Sequence, residues 1–357
     1  MAVVAVIGSS TLIGVAVLTR LQEDAAVDTI LGIDLAEPDV VVGKLRFRVA
    51  DVRERLLPEV LDGADVVVHC GLEPEPDRDE GSAFARTVHG TRNLLVAAAK
   101  IGVGKLVVVS SAVVYGAHPD NPLPLDERAA LRADPDFAGS YHLKLAEQLV
   151  EEWADGHPGV TVTLLRPAVT LGHGSSGGGF LRRHLESPRL PRIGGQSAPL
   201  QFVHADDVAS AVQLAVSADL PGAFNVAAQG WLPATEVSAL LGRRSMAVPE
   251  ATAFGAVRWL WQRGLWHLPP GALPYLMYPW VVSSERLQAC GWAPTWSNRE
   301  LLREFARQHH DEVSLGPIRM RRQDLHAPVL ALAGVLLGLM AAKLQRAHRA
   351  RGEELTS

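Results

Sequence analysis

Residues 2–14, AVVAVIGSSTLIG, decide the fold. Val3, Val4, Val6 and Ile7 make a short, nearly unbroken apolar run, the pattern of a strand buried on both faces of a parallel sheet. Gly8 ends the run. Ser9, Ser10 and Thr11 lead into Leu12, Ile13, Gly14 and an apolar helix over 15–21. A strand, a glycine turn and a helix N-terminus form an anion site, because free backbone N–H groups and the helix dipole converge there. The expected occupant is the pyrophosphate of a dinucleotide. Thr11 stands where the dinucleotide fingerprint carries its middle glycine, so a strand–turn–helix without a ligand is the competing reading. The next apolar run, 29–33, ends in Asp34, about twenty residues past Gly14, where a carboxylate bonds the adenosine ribose hydroxyls. It would repel a 2′-phosphate, which favours NAD over NADP.

At 357 residues the chain can bury a large core and carry a second lobe. A net charge of −5 gives no electrostatic case for nucleic acid as a partner. Cys70 and Cys290 make neither a disulfide framework nor a metal site, which fits a reducing, cytoplasmic setting. His309–His310 reads as a solvated helix end. The N-terminus lacks the basic flank and cleavage site of a signal peptide.

Strands and helices alternate through the first half. Strands are expected at 45–49, followed by Asp51–Val52; at 65–69, followed by Cys70–Gly71; at 106–111; and at 160–165, followed by Arg166–Pro167. Helices are expected at 84–101 and 137–153. The rhythm predicts an α/β fold: a Rossmann-type doubly wound parallel sheet with a small C-terminal α/β substrate lobe and an apolar C-terminal tail helix. Residues 1–171, completed by 200–228, form the nucleotide domain, 172–312 the substrate lobe and 313–357 the tail. Ligands of such sheets lie at the carboxyl ends of the strands. The glycine-rich run 172–179 is a moving edge of that site or an ordinary surface loop. Short strands are expected at 202–204 and 223–226, around a helix whose first turn is capped by Asp206–Asp207. Seven of the eight tryptophans fall between Trp231 and Trp296. They form a tightly packed lobe, a wall for an apolar substrate, or a face resting on a membrane. Residues 327–342 (APVLALAGVLLGLMAA) carry no charge and are flanked by arginines, so this segment is either a membrane anchor or a helix docked on the protein or a partner subunit.

Further stretches carry a resemblance. Residues 90–95 (GTRNLL), 107–116 (VVVSSAVVYG), 141–144 (YHLK), 165–167 (LRP) and 202–208 (FVHADDV) follow one another in an order that resembles the extended short-chain dehydrogenase/reductases, the NAD-dependent epimerase/dehydratase group. The resemblance runs from about residue 3 to about residue 305. It implies hydride transfer with NAD, with Ser111 orienting the substrate, Tyr141 as acid/base, and Lys144 lowering the Tyr141 pKa and binding the nicotinamide ribose. The chemistry is sound in itself: a tyrosine moves a proton on the reacting oxygen once a nearby ammonium favours its phenolate. The implied cofactor contacts are Gly8, Thr11, Leu12, Ile13, Gly14, Asp34, Asp51, Val52, Cys70, Gly71, Ser110, Tyr141, Lys144 and Pro167, with no metal.

The chain departs from the family pattern at three places. Tyrosine and lysine of YxxxK are three apart here rather than four, with Ser140 four before Lys144; Thr87 replaces an asparagine; Thr11 replaces a glycine. Either Tyr141 works from a shifted position or the tyrosine site has become serine. A non-catalytic NAD-binding protein, a membrane-tethered sensor or scaffold, is therefore the second reading. The resemblance implies a nucleotide-sugar substrate, with Arg182, Arg183, Arg192 and Arg243 available for a diphosphate. The tryptophan-rich lobe and apolar tail argue for a sterol or isoprenoid-like substrate instead. A homodimer through the helices at 84–101 and 137–153 is also implied.

Overall fold

The computed structural model describes residues 2–74, 76–172, 179–315 and 318–321. The segment 327–342 lies outside the described residues, as does all but the ends of the glycine-rich run 172–179. Among the described residues no helix is long and apolar enough to cross a membrane.

In chain order the first half comprises β1 (Ala2–Ile7), α1 (Leu12–Gln22), β2 (Val27–Asp34), β3 (Leu45–Val49), α2 (Leu57–Val60), β4 (Val66–His69), α3 (Glu80–Phe84), α4 (Gly90–Ile101), β5 (Lys105–Val109), α5 (Ala138–Gly156) and β6 (Thr161–Pro167). The second half continues with β7 (Val169–Leu171), α6 (Gly179–Glu186), β8 (Arg189–Ile193), β9 (Phe202–His204), α7 (Ala205–Ser217), β10 (Gly222–Val226), α8 (Ala234–Leu240), β11 (Arg244–Val248), α9 (Glu250–Gln262), α10 (Pro274–Met277), α11 (Glu285–Ala289), α12 (Asn298–Gln308), β12 (Glu312–Leu315) and β13 (Ile318–Arg321).

Seven strands form one sheet in the order β10-β6-β5-β4-β1-β2-β3, all parallel. The order reverses between β1 and β4, which opens the ligand crevice of a doubly wound sheet there. The cause lies in the apolar runs. Val4, Ala5 and Val6 of β1, Val67 and Val68 of β4 and Leu106–Val108 of β5 have no exposed surface, so helices must cover both faces. On one face α1 packs against α7, and on the other α4 packs against α5. β10 closes the sheet edge beside β6, whereas β9 pairs outside it with β7. The remaining elements stand over the carboxyl ends of the strands as a smaller lobe built on the parallel β8–β11 pair, with an antiparallel β12–β13 hairpin following α12.

Several expectations need correcting. The helix expected over 84–101 starts at Glu80, where Asp79 caps it by accepting from the Ser82 amide. It then widens into a π-helical turn over Ala85–His89 before α4. The polar stretch 77–83 carries no apolar period, so nothing in it marks a helix. His309 is buried rather than solvated: its Nδ1–H donates to the Phe305 carbonyl and its Nε2 accepts from Arg182 at 2.8 Å. Only His310 is exposed. Asp207 does more than cap a helix. It is buried and accepts from the Thr295 amide and hydroxyl and from the Trp296 amide, anchoring the segment before α12 to α7. The cap of α7 is His204, whose ring accepts from the Asp206 amide.

Candidate functional site

Gly8 has φ +76°, a left-handed conformation that glycine alone adopts freely. Its backbone also sits against β4's exit: a Cβ there would lie 2.5 Å from the Gly71 nitrogen. A Cβ on Gly14 would lie 2.0 Å from the Gly8 carbonyl oxygen. Both glycines are therefore demanded by packing. Thr11 takes a role its sequence position did not announce. It is the N-cap of α1, its hydroxyl accepting from the Gly14 amide at 3.0 Å and donating to the Gly8 carbonyl at 2.8 Å. The side chain is thus turned into the loop it closes. The amides of Leu12 and Ile13 begin the helix, where no intrahelical acceptor exists for them.

Asp34 ends β2 beside this loop, accepting from the Ser10 amide at 2.9 Å and the Leu35 amide at 2.7 Å. Its lone pairs are only partly used, as a ribose-binding carboxylate requires. Asp51, past the end of β3, is gripped by Arg53 through both oxygens, and that hydrogen bond holds its pKa below the usual carboxylate value. The Val52 carbonyl accepts from Asn93 of α4 at 2.7 Å. Cys70 and His69 are buried under the turn. Burial pushes the Cys70 thiol up to about 12, so it is no nucleophile, and pushes His69 down to about 4.

Beyond the cradle lies a cavity lined by Leu12 and Ile13 of α1, Leu72 and Pro74 after β4, Ser110 and Ser111 after β5, Pro167–Thr170 and, from the second lobe, Phe180, Leu181 and Trp280. Leu72, Pro74 and Phe180 were missed from the sequence; the first two follow a sheet strand's carboxyl end, which is the signal that would have found them, whereas Trp280 belongs to the tryptophan-rich stretch read as a packed lobe, an apolar wall or a membrane face. Ser111 caps a 3-10 turn over Ala112–Tyr115. The Ser110 hydroxyl is buried and finds no partner among the described residues.

Tyr141 and Lys144 stand together on α5, with the Lys144 ammonium 5.6 Å from the Tyr141 ring centre. Neither is among the residues that line the Ser111 cavity. Ser140 has no exposed surface, and its hydroxyl donates to the Phe137 carbonyl. Tyr275 from the second lobe lies near enough to interact with Ser140 and donates to the Val113 carbonyl at 2.7 Å. The position four before Lys144 thus faces the core and lies near another tyrosine, whose pKa burial raises.

Sequence reasoning also missed a buried polar chain behind Ser111. Arg166 of β6 donates to Glu147 of α5 at 2.7 and 2.9 Å and to the Tyr115 hydroxyl at 3.0 Å, and Tyr115 donates to Asn225 of β10 at 2.8 Å. Burial pushes Tyr115 up to about 12; burial also works to lower the pKa of Arg166, but Glu147 and Tyr115 together raise it. The chain ties the helix of Tyr141 and Lys144 to the turn after Ser111. Of the four arginines expected to meet a diphosphate, Arg182 is committed instead to Glu186 and His309. Arg192 and Arg243 line a second cavity with His184, near the C-terminal end of α6.

Comparison with known proteins bears on the family and the fold. The profile described as "NAD dependent epimerase/dehydratase family" matches residues 4–227. An uncharacterized protein of Mycobacterium tuberculosis, Rv0501, is 27% identical over 340 residues, covering 92% of this chain and 90% of that protein. The N-acetyl-alpha-D-glucosaminyl-diphospho-ditrans,octacis-undecaprenol 4-epimerase of Escherichia coli is 32% identical over 182 residues, 49% of this chain and 50% of that one. The solved dTDP-glucose 4,6-dehydratase of Bacillus anthracis, in complex with NAD, superposes with a TM-score of 0.65 at 16% identity, covering 87% of this chain and 97% of that one, a likeness of fold.

Proposed function

The chain belongs to the NAD dependent epimerase/dehydratase family, and from that premise we propose that it is an NAD-dependent oxidoreductase or epimerase acting at a carbon bearing a hydroxyl or keto oxygen. The observation that carries this reading is the shared cavity. Ser111 opens into the same space as Leu12 and Ile13, the residues at the rim of the glycine turn. The chain's own groups fit the cofactor: close-packed glycines at 8 and 14, unpaired helix amides, and Asp34 at the ribose position. NAD supplies the hydride acceptor or donor. Ser111 holds the substrate oxygen, Tyr141 moves the proton on it, and Lys144 favours the phenolate.

For the substrate, Leu72, Pro74, Val113, Phe180 and Trp280 form apolar walls, with the Glu73 carboxylate also lining the cavity. The Escherichia coli relative is named for a sugar on a polyprenyl diphosphate, a molecule that joins the sugar and isoprenoid classes. We read the substrate as of that kind, with Arg192, which lines the second cavity beside His184 of α6, as the candidate group for its diphosphate.

A second reading, an NAD-binding protein without turnover, is favoured by Tyr141 and Lys144 lying outside the cavity lining and by the buried Ser140. The two part on one experiment: nicotinamide fluorescence during incubation with NAD and sugar or polyprenyl alcohols, for the native chain and Tyr141→Phe. The enzyme reading expects NADH formation or epimerised product, reduced at least about a hundredfold in the variant, with NAD affinity within about twofold. Equal turnover in the variant removes the role of Tyr141. Bound NAD that no substrate ever reduces favours the second reading.

A further inference from the structure

Between Glu250 and Glu285 the chain carries no acidic residue and no lysine, but four tryptophans and the arginines Arg258 and Arg263. This stretch contains α9 and the turn after it. Most of its tryptophans are partly or wholly covered, yet Trp259 is 50% exposed on the last turns of α9 and Leu265 is 50% exposed just past it. Apolar side chains such as Val41 and Val49 are more exposed than this pair, and what sets the pair apart is its surroundings. Arg263 lies over the Trp259 ring at 4.1 Å. Arg78, from the loop after β4, lies over the Trp261 ring at 4.8 Å and donates to the Trp266 carbonyl at 2.8 Å. Of the two acids that flank Arg78, Asp77 is ion-paired with Arg86 and Asp79 caps α3 by accepting from the Ser82 amide. The patch therefore combines amphipathic rings, an aliphatic tip and guanidinium groups with no free carboxylate on α9 beyond its first turn.

We propose that the C-terminal end of α9, with Arg258, Trp259, Arg263 and Leu265, docks on an anionic phospholipid surface. Indole rings favour the headgroup level, leucine the acyl boundary, and arginines keep their charge at the phosphates while burying their stems. The whole chain is acidic, but opposing charge more than about 10 Å away is screened, so the local arginines govern the contact. Arg78's bonds to the Trp261 and Trp266 carbonyls clamp the loop after β4 to the patch. The contact is peripheral and does not depend on the chain being a working enzyme.

The test uses the full chain with one environment-sensitive fluorophore at residue 265, as Leu265→Cys in a Cys290→Ser background, since Cys70 is buried. The control is the native chain labelled at exposed Cys290. Vesicles are phosphatidylcholine alone or with one quarter phosphatidylglycerol. The proposal expects a blue shift at residue 265 with the anionic vesicles, little with the neutral ones, no shift at Cys290, and loss of the shift at high salt. Arg258→Gln and Arg263→Gln should each weaken the partition about fivefold and leave NAD affinity unchanged. Three results overturn it: no shift at 265, including when the chain pellets with vesicles by another segment; equal shifts at both labels; or a concentration-dependent shift without vesicles, which assigns the patch to a second copy of the chain.

Discussion

A methyl group on residue 14 would meet the Gly8 carbonyl at 2.0 Å, a distance no rotation relieves because both partners are backbone. Gly14→Ala is therefore expected to open the turn and abolish NAD binding, while Thr11→Ala costs about 1 kcal/mol through the lost cap; calorimetry and chemical denaturation read the two effects separately. His69 makes a pH prediction. Burial holds its pKa near 4, below the value of about 6.5 in an unfolded chain. Between those values the unfolded state takes up a proton that the folded state refuses. Its contribution is complete above pH 6.5 and drains away as pH falls toward 4, about 2 kcal/mol by pH 5. Urea midpoints at pH 7.5 and 5 should thus move less in His69→Leu than in the native chain. At position 140 the sequence left two readings open, and neither hydrophobicity nor spacing separates them. The buried Ser140 near Tyr275 makes a direct prediction: Ser140→Ala should leave turnover within a few fold, in contrast to Tyr141→Phe.

At the scale of elements, β1 was legible almost to the residue because an apolar run ended by glycine specifies a strand between two helical layers, and β3 and β9 were legible although the first is an alternating edge strand and the second pairs outside the sheet. What was not legible came from partners distant in sequence. The π-helical turn at Ala85–His89 carries no local code. The burial of His309 depends on Arg182, 127 residues away. The chain from Glu147 to Asn225 assembles α5, β6, the 3-10 turn and β10, and no single stretch announces it. That chain makes its own prediction. Glu147→Leu leaves the buried Arg166 with only the more distant Glu151, at 3.5 Å, as counter-charge and should cost up to roughly 3–5 kcal/mol in denaturant unfolding. Adding Arg166→Met should recover much of the loss, which an independent contribution of Glu147 would not allow.

For the molecule as a whole, the fold was readable because the βαβ rhythm and right-handed crossovers leave few topologies. The turn over residues 8–14 and the strand end at Asp34 were readable as structure, although Thr11's part in closing the turn was not. Substrate recognition was opaque, since Phe180 and Trp280 reach the cavity from a lobe whose elements are short and carry no pattern. The central claim is that strand, glycine turn and Asp34 form a working site for NAD. Calorimetric titration of the full chain with NAD, and separately with NADP, tests it most directly. The account predicts saturable NAD binding, NADP at least about tenfold weaker, and loss of that preference in Asp34→Ala. Binding of neither nucleotide, or equal binding of both by the native chain, would contradict it.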